Sequence, residues 1–245
     1  MQILEGKGVT KFFGGLAAVS NVDFHVDRGE ILGLIGPNGA GKTTLFNLIS
    51  AALPASSGEI SFKGQKVNGL KPHQICRMGI ARTFQETKVF PNMPVLQNVL
   101  VGAFFGSPKR ASGADAAGEA SQALEFVGLS AVSTAPVKDL TLVSQKRVEV
   151  ARALATKPEL LLLDELMAGL NPAEVSEAME LVTRIRDKGI TIIMVEHVMK
   201  AIMGISARVM VLHHGEKLAD GTCNEIACNR KVIDVYLGEE THAGS

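Results

Sequence analysis

The stretch Gly36-Pro37-Asn38-Gly39-Ala40-Gly41-Lys42-Thr43-Thr44 constrains this chain more than any other part of it. It fits G-x-x-x-x-G-K-[ST], the pattern of a phosphate-cradling loop. Ahead of it, Ile31-Leu32-Gly33-Leu34-Ile35 is a short apolar run that reads as a strand buried on both faces. Behind it, Leu45, Leu48 and Ile49 recur at helical spacing. The loop is therefore expected between a strand and a helix N-terminus. There, successive backbone N–H groups point at one anion, and the positive end of the helix helps to hold it. Gly36, Gly39 and Gly41 leave the backbone free to turn closely. Lys42 is expected to reach the β- and γ-phosphates, and the Thr43 hydroxyl to ligate Mg²⁺. The plain alternative is a Gly-rich turn with an exposed lysine; the flanking strand and helix weigh against it. The chain is expected to bind a nucleoside triphosphate.

At 245 residues the chain can bury a sizeable core. Lys plus Arg and Asp plus Glu are equal at 25 each, so no overall positive field argues for nucleic acid. Lys109-Arg110, Lys146-Arg147 and Arg230-Lys231 read as solvated surface. The three cysteines fit a reducing compartment: Cys223 and Cys228 lack a second pair at zinc-binding spacing, and Cys76 is alone. Glu5 and Lys7 interrupt any signal-peptide core, and runs such as Leu160 to Leu163 are too short to cross a bilayer. A cytoplasmic protein is expected.

Val22, Phe24 and Val26 alternate with charged neighbours, as do Ile60 and Phe62 with theirs, so antiparallel strands are expected alongside a parallel core. Pro94 should open a helix at its first position. Gly106 to Gly118, rich in Gly, Ala and Ser, reads as an exposed connection, followed by helices at Glu119 to Val127 and about Ser144 to Thr156. Leu160 to Leu163 is a buried strand ending in Asp164-Glu165. Asn171 caps a helix with Pro172 at its first position and Glu174 two residues on; Val175, Met179, Val182 and Ile185 form its buried stripe, and Gly189 ends it. Ile190 to Val195 is a further buried strand, with Glu196-His197 at its tip. Val209 to Leu212 and Lys217 to Ala219 form a hairpin about His214-Gly215. Met194, Met199, Met203 and Met210 read as core filler. The pattern predicts an α/β fold with a mostly parallel sheet, an N-terminal antiparallel part and an inserted helical lobe. Residues 1–85 and 158–245 would form the nucleotide-binding core and 86–157 the lobe. Ligands of such sheets bind beyond the strand C-terminal ends, where the loop, Asp164-Glu165 and Glu196-His197 all fall.

An apolar strand ending in Asp is the usual partner of a phosphate loop. Asp164 would hold Mg²⁺ and Glu165 would polarise water against the γ-phosphate as general base. A guanine reader, N-K-x-D, has its nearest approach in Thr156-Lys157-Pro158-Glu159, which lacks both Asn and Asp. ATP is favoured over GTP.

With these parts in order, joined by Ala81-Arg82-Thr83-Phe84-Gln85, Leu140 to Leu154 and Ala168-Gly169-Leu170-Asn171-Pro172, the chain resembles the ATPase subunit of an ATP-binding cassette (ABC) transporter from about Leu4 to Gly238. Within that family it is most similar to subunits of branched-chain amino-acid uptake systems, through Lys11-Phe12-Phe13-Gly14-Gly15, Met167 to Pro172, Met203-Gly204-Ile205-Ser206 and Tyr236-Leu237-Gly238. The resemblance implies that Phe13 stacks on adenine. It also implies that Gln85 ligates Mg²⁺ and senses membrane subunits, and that His197 contacts the γ-phosphate and the attacking water. Asn171 falls in the loop after the catalytic acid. The implied cofactors are ATP and Mg²⁺. The implied partners are a second ABC ATPase subunit, integral membrane permease subunits and, indirectly, a solute-binding protein, with the chain peripheral on the inner face of the membrane. The alternatives are the ATPase subunit of a lipid or lipopolysaccharide exporter, or an ABC ATPase outside transport. The latter would usually carry paired cassettes, a coiled-coil insert or basic extensions.

One departure stands out. Family members read L-S-G-G-Q or L-S-x-G-Q, whereas this chain reads Leu140-Thr141-Leu142-Val143-Ser144-Gln145. Thr141 keeps a hydroxyl at the Ser position and Ser144 replaces Gln, but Val143 occupies the glycine that approaches the partner's γ-phosphate. A β-branched side chain there restricts backbone and clearance. The expectation is a heterodimer in which the site this chain lends to its partner is impaired. Leu166 in place of the usual Pro after Glu165 is expected to matter less.

Overall fold

The computed structural model describes residues 1–106 and 113–240. Along the chain run β1 (Gln2–Phe13), β2 (Leu16–Asp27), β3 (Ile31–Ile35), α1 (Lys42–Ile49), β4 (Ser57–Phe62), β5 (Gln65–Lys66), α2 (Pro72–Met78), β6 (Ile80–Arg82) and α3 (Val95–Gly106). They are followed by α4 (Gly113–Val127), α5 (Leu142–Leu154), β7 (Leu160–Asp164), α6 (Pro172–Asp187), β8 (Thr191–Val195), α7 (Met199–Ile205), β9 (Arg208–His213), β10 (Glu216–Gly221), α8 (Cys223–Ala227) and α9 (Arg230–Glu240). None of the described helices is long and apolar enough to cross a membrane. The chain folds as two compact units, one of Met1–Leu70 with the chain from Thr191 onward, the other of Lys71–Ile190.

In the first unit, β1 and β2 pair antiparallel from Phe13↔Leu16 back to Gln2↔Asp27, and β4 pairs with the other edge of β1. Val22, Phe24 and Val26 are buried, as their alternation predicts. The signal for β1 is blurred because bulges between Gly6 and Val9 break its period-two pattern, although Ile3, Leu4 and Val9 are all buried. β3 is buried along its whole length and lies between two parallel neighbours, β8 and β9, with β10 antiparallel at the edge. That is why it carries a continuous apolar run rather than an alternation. The β9–β10 hairpin turns on His214 (φ 48) and Gly215 (φ 81), two consecutive left-handed residues that match the twist of the flanking strands. Met194 and Met210 fill the core as expected. Met199 does not: it is 36% exposed, because α7 turns Ala201 and Ile202 inward instead.

In the second unit, β6 pairs parallel with β7 in the register Ala81↔Leu161. Four sequence expectations need correction. First, the connection expected over Gly106 to Gly118 is helical in much of its length: Gly106 ends α3, and α4 begins at Gly113, with residues 107–112 outside the described residues. Ala116, Ala120, Ala123, Leu124 and Val127 form its buried face. Alanine, which looked like loop composition beside Gly and Ser, is the strongest helix former, and here its small size lets the helix pack closely. Second, α5 starts at Leu142 rather than Ser144, because the Thr141 hydroxyl accepts the Ser144 amide and caps the helix. Third, the buried stripe of α6 runs through Ala178 and Leu181 as well as Val175, Val182 and Ile185, and Met179 is only half-buried. Its start is the expected one: Asn171 Oδ1 accepts the Ala173 and Glu174 amides while Glu174 accepts the Asn171 amide. Fourth, Pro94 sits one residue before α3, its carbonyl accepting the Asn98 amide, so it caps the helix rather than occupying the first turn. Close packing of α3 is visible at Gly102, where a Cβ would lie 2.2 Å from the Arg152 carbonyl oxygen.

Candidate active site

The phosphate loop lies in the first unit. β3 delivers it, and α1 begins at Lys42 with Gly41 as its cap. No side chain caps that helix and no acidic residue occupies its first turn, so its leading amides and positive dipole end suit an anion. Two glycines are sterically required. At Gly36 (φ 149) a Cβ would sit 2.1 Å from the Leu212 carbonyl oxygen, and at Gly41 (φ 102) it would sit 2.4 Å from that of Ala18. The loop is thus pressed between β9 and β2, and the β9–β10 turn braces it further: the Gly215 amide donates to Ala40 O at 3.0 Å, and Gly215 O accepts the Ser20 amide at 2.8 Å. Asn38 and Gly39 are exposed, Pro37 and Ala40 are buried, Thr43 is exposed and Thr44 half-buried. Lys42 is 7% exposed, and its ammonium donates to Gly36 O (2.6 Å) and Pro37 O (2.8 Å). The loop's own carbonyls therefore aim the cation, which fits a site built for a phosphate chain.

Two further expected residues fall in this unit. Phe13 ends β1, is 47% exposed and carries the Lys11 ammonium 5.3 Å from its ring centroid, so it is not a core aromatic. His197 is exposed and follows β8 by two residues; Leu34 pairs with Val195, so the loop and the Glu196-His197 tip leave the same ends of neighbouring parallel strands.

The acidic residues lie in the second unit. Asp164 ends β7 and is 2% exposed. Its Oδ2 accepts from Arg82 Nη2 at 2.8 Å and its amide donates to Thr83 Oγ1 at 3.2 Å. Asp164 Oδ1 is buried with no hydrogen-bond partner among the described residues. An orphaned buried carboxylate oxygen is costly, and a hydrated hard cation would satisfy it, so the residue fits Mg²⁺. Glu165 is half-buried and has φ 51, a left-handed conformation rare for a residue with a side chain. Gln85 donates its Nε2 to Glu165 Oε2 at 3.0 Å, so two residues far apart in sequence and both expected at the site do meet.

The stretch 140–145 is a capped helix start. Thr141 Oγ1 also donates to Ser144 Oγ (3.1 Å), and Gln145 Nε2 donates to Leu140 O (3.0 Å), so its polar groups are tied to one another. Val143 is half-buried in the first turn of α5.

Four residues here carry roles that sequence reading missed. Lys146, expected on solvated surface, is 7% exposed and donates to the carbonyls of Glu165, Leu166 and Ala168. Its neighbour Arg147 does face outward, paired with Glu177. Arg82 holds Asp164. Fully buried Asn98 bonds the backbone of Phe90, Met93 and Pro94, pinning the irregular segment after Gln85. Buried Glu149 accepts the Lys88 amide; burial pushes its carboxyl above the usual range, opposed by that hydrogen bond and by Arg152. The available signal was a polar residue at a buried helix position for Lys146, Asn98 and Glu149, and for Arg82 a cation at the end of the strand beside the one that carries Asp164.

Comparisons with known proteins show the family and the fold. The family model of the ABC transporter matches residues 19–168. The chain is 42% identical over 250 aligned positions, spanning 97% of itself and 98% of the relative, to the high-affinity branched-chain amino acid transport ATP-binding protein LivG of Salmonella typhimurium. Among solved structures, it superposes on an ATP-binding cassette of an ABC transporter in its ADP conformation with a TM-score of 0.89 and 30% identity, covering 97% of this chain and 99% of the other. A dimeric ATP-binding cassette in a post-hydrolysis state, bound to ADP and Pi, matches at a TM-score of 0.81 and 26% identity over 90% of this chain and 99% of the other. With its α/β fold and phosphate loop, the chain belongs to the ABC transporter family as an ATP-binding, ATP-hydrolysing cassette.

Proposed function

We propose that this chain is the motor subunit of an ABC importer for branched-chain amino acids, working with a second cassette subunit, integral membrane permease subunits and a solute-binding protein. The observation that carries this reading is the 42% identity to LivG over nearly the whole of both chains. Residues 86–157 would serve as a helical lobe that relays dimer closure, and residues 1–85 with 158–245 as the nucleotide core. Peripheral attachment to the inner membrane face would follow from the permease. If the chain drives import, it co-purifies with an integral membrane partner and supports ATP-dependent uptake of leucine, isoleucine or valine in proteoliposomes. Uptake of none of these by the reconstituted complex would overturn the substrate assignment.

The residues divide the work as follows. Phe13 stacks on the adenine. The amides of residues 36–44 and the Lys42 ammonium hold the phosphate chain. Thr43, Gln85 and Asp164 would hold Mg²⁺, which when bound neutralises charge on the β- and γ-oxygens. Arg82 keeps Asp164 Oδ2 engaged so that Oδ1 is left for the ion's water shell. Glu165 takes the proton of the attacking water, and His197 orients that water against the γ-phosphate. Asn171, through its cap, sets the path of the loop leaving Glu165. Closing of two cassettes is favoured by ATP and reopening by its hydrolysis, and this differential affinity drives transport.

The stretch Thr141, Val143, Ser144 and Gln145 is lent to the partner's nucleotide. Val143 stands where a glycine would give clearance, and the Ser144 hydroxyl is already engaged with Thr141. We therefore expect low turnover by this chain alone, higher turnover with a distinct partner subunit, and a gain on the order of 10²-fold for Val143→Gly alone, the scale of one preorganised backbone donor brought into reach by the restored clearance. Robust turnover alone, unchanged by Val143→Gly, would rule out the heterodimer.

A further inference from the structure

Lys146 follows the partner-facing stretch by one residue and is buried in α5 with its three ammonium donors matched to three carbonyl oxygens: Glu165 at 3.0 Å, Leu166 at 2.9 Å and Ala168 at 2.8 Å. Buried lysines normally answer a carboxylate. Here the ammonium, whose charge also acts on the buried Glu149 carboxylate, hydrogen-bonds to backbone, and to the backbone of one turn, the turn that carries the proposed general base. Glu165 holds φ 51, a conformation that side-chain-bearing residues keep only where the surroundings impose it. The next bonds of the turn are long, with Ala168 N to Glu165 O and Leu170 N to Met167 O both at 3.3 Å, so the turn's own hydrogen bonding is weak support for that conformation. Lys146 adds three bonds of 2.8–3.0 Å to that turn.

We propose that Lys146 is a positioning residue for Glu165: by gathering the carbonyls of residues 165, 166 and 168 it imposes the left-handed backbone that aims the carboxylate. It also fastens that turn to the helix whose first residues, 141–145, face the partner. The inference rests on Glu165 being the general base. The carboxylate is then held from two sides, its backbone by Lys146 and its Oε2 by Gln85. A shift of the partner-facing helix start would reach Glu165 through one buried, three-bonded side chain.

The test uses the full chain with its partner subunit and two readouts. In Lys146→Met, amide hydrogen exchange over residues 164–170 of the nucleotide-free protein should rise on the order of tenfold or more, with α1 and β3 unaffected. In the same variant kcat should fall about 10–100-fold, the scale of a misplaced catalytic group, while affinity for a fluorescent ATP analogue stays within about threefold. Lys146→Arg keeps charge and donors, though not the compact three-point geometry, and should recover part of both losses. Where Lys146→Met does not fold, Lys146→Gln, which retains two N–H donors on a shorter stem, is read in its place. Unchanged exchange overturns the tether. Faster exchange with unchanged kcat overturns the positioning role, and so does a loss of ATP affinity in step with kcat, which marks general damage. Failure of the parent reading is separable: there Glu165→Gln would retain turnover, whereas the exchange measurement reports on Lys146 without any turnover.

Discussion

Lys42→Ala is expected to lower ATP-dependent turnover on the order of 10²–10³-fold, the scale found when one preorganised donor to developing charge is removed. The ammonium is already oriented by Gly36 O and Pro37 O, at 2.6 and 2.8 Å, so it meets a phosphate chain without reorganising. Alanine leaves the loop's shape to its glycines and to the β9–β10 brace, neither of which depends on the lysine. The loss should therefore appear first in nucleotide affinity, measured by titration with a fluorescent ATP analogue, with the far-ultraviolet circular dichroism unchanged. A variant that binds ATP as tightly as the parent chain would remove the phosphate loop from the account.

Glu165→Gln is the complementary experiment. General-base removal costs about 10²–10⁴-fold in rate. The amide is isosteric, and its oxygen can still accept from Gln85 Nε2, so the turn and ATP binding should persist. The expected result is a cassette pair that binds ATP, closes and stays closed, seen as an ATP-stabilised dimer in size-exclusion chromatography. The two variants separate binding from cleavage: one loses the nucleotide, the other retains it. Full turnover by Glu165→Gln in the presence of the partner would assign the base elsewhere.

Much of this protein was legible because its decisive parts are local. A glycine pattern between an apolar run and a helix start is written in consecutive residues, and so are the Asn171-Pro172-Ala173-Glu174 cap and the His214-Gly215 turn; each depends on backbone constraints that act over a few residues. The opening of α4, residues 113–118, reads as a loop because composition stands in for periodicity there, whereas the helix expected over Glu119 to Val127 is present. β1 was blurred because bulges shift its register.

The sequence by itself determined that the chain holds a phosphate loop between a strand and a helix, that an Asp-Glu pair ends a buried strand, and that the residues belong to an ABC cassette. Tertiary structure alone decided which cation and which acid reside inside the protein. Lys146 and Arg147 are adjacent and alike in sequence, yet one is buried against three carbonyls and the other pairs with Glu177 near the surface. The reason is that a charge can be buried only where converging partners compensate its lost hydration. Those partners come from residues 165–168, about twenty positions away, and no local pattern records their arrival.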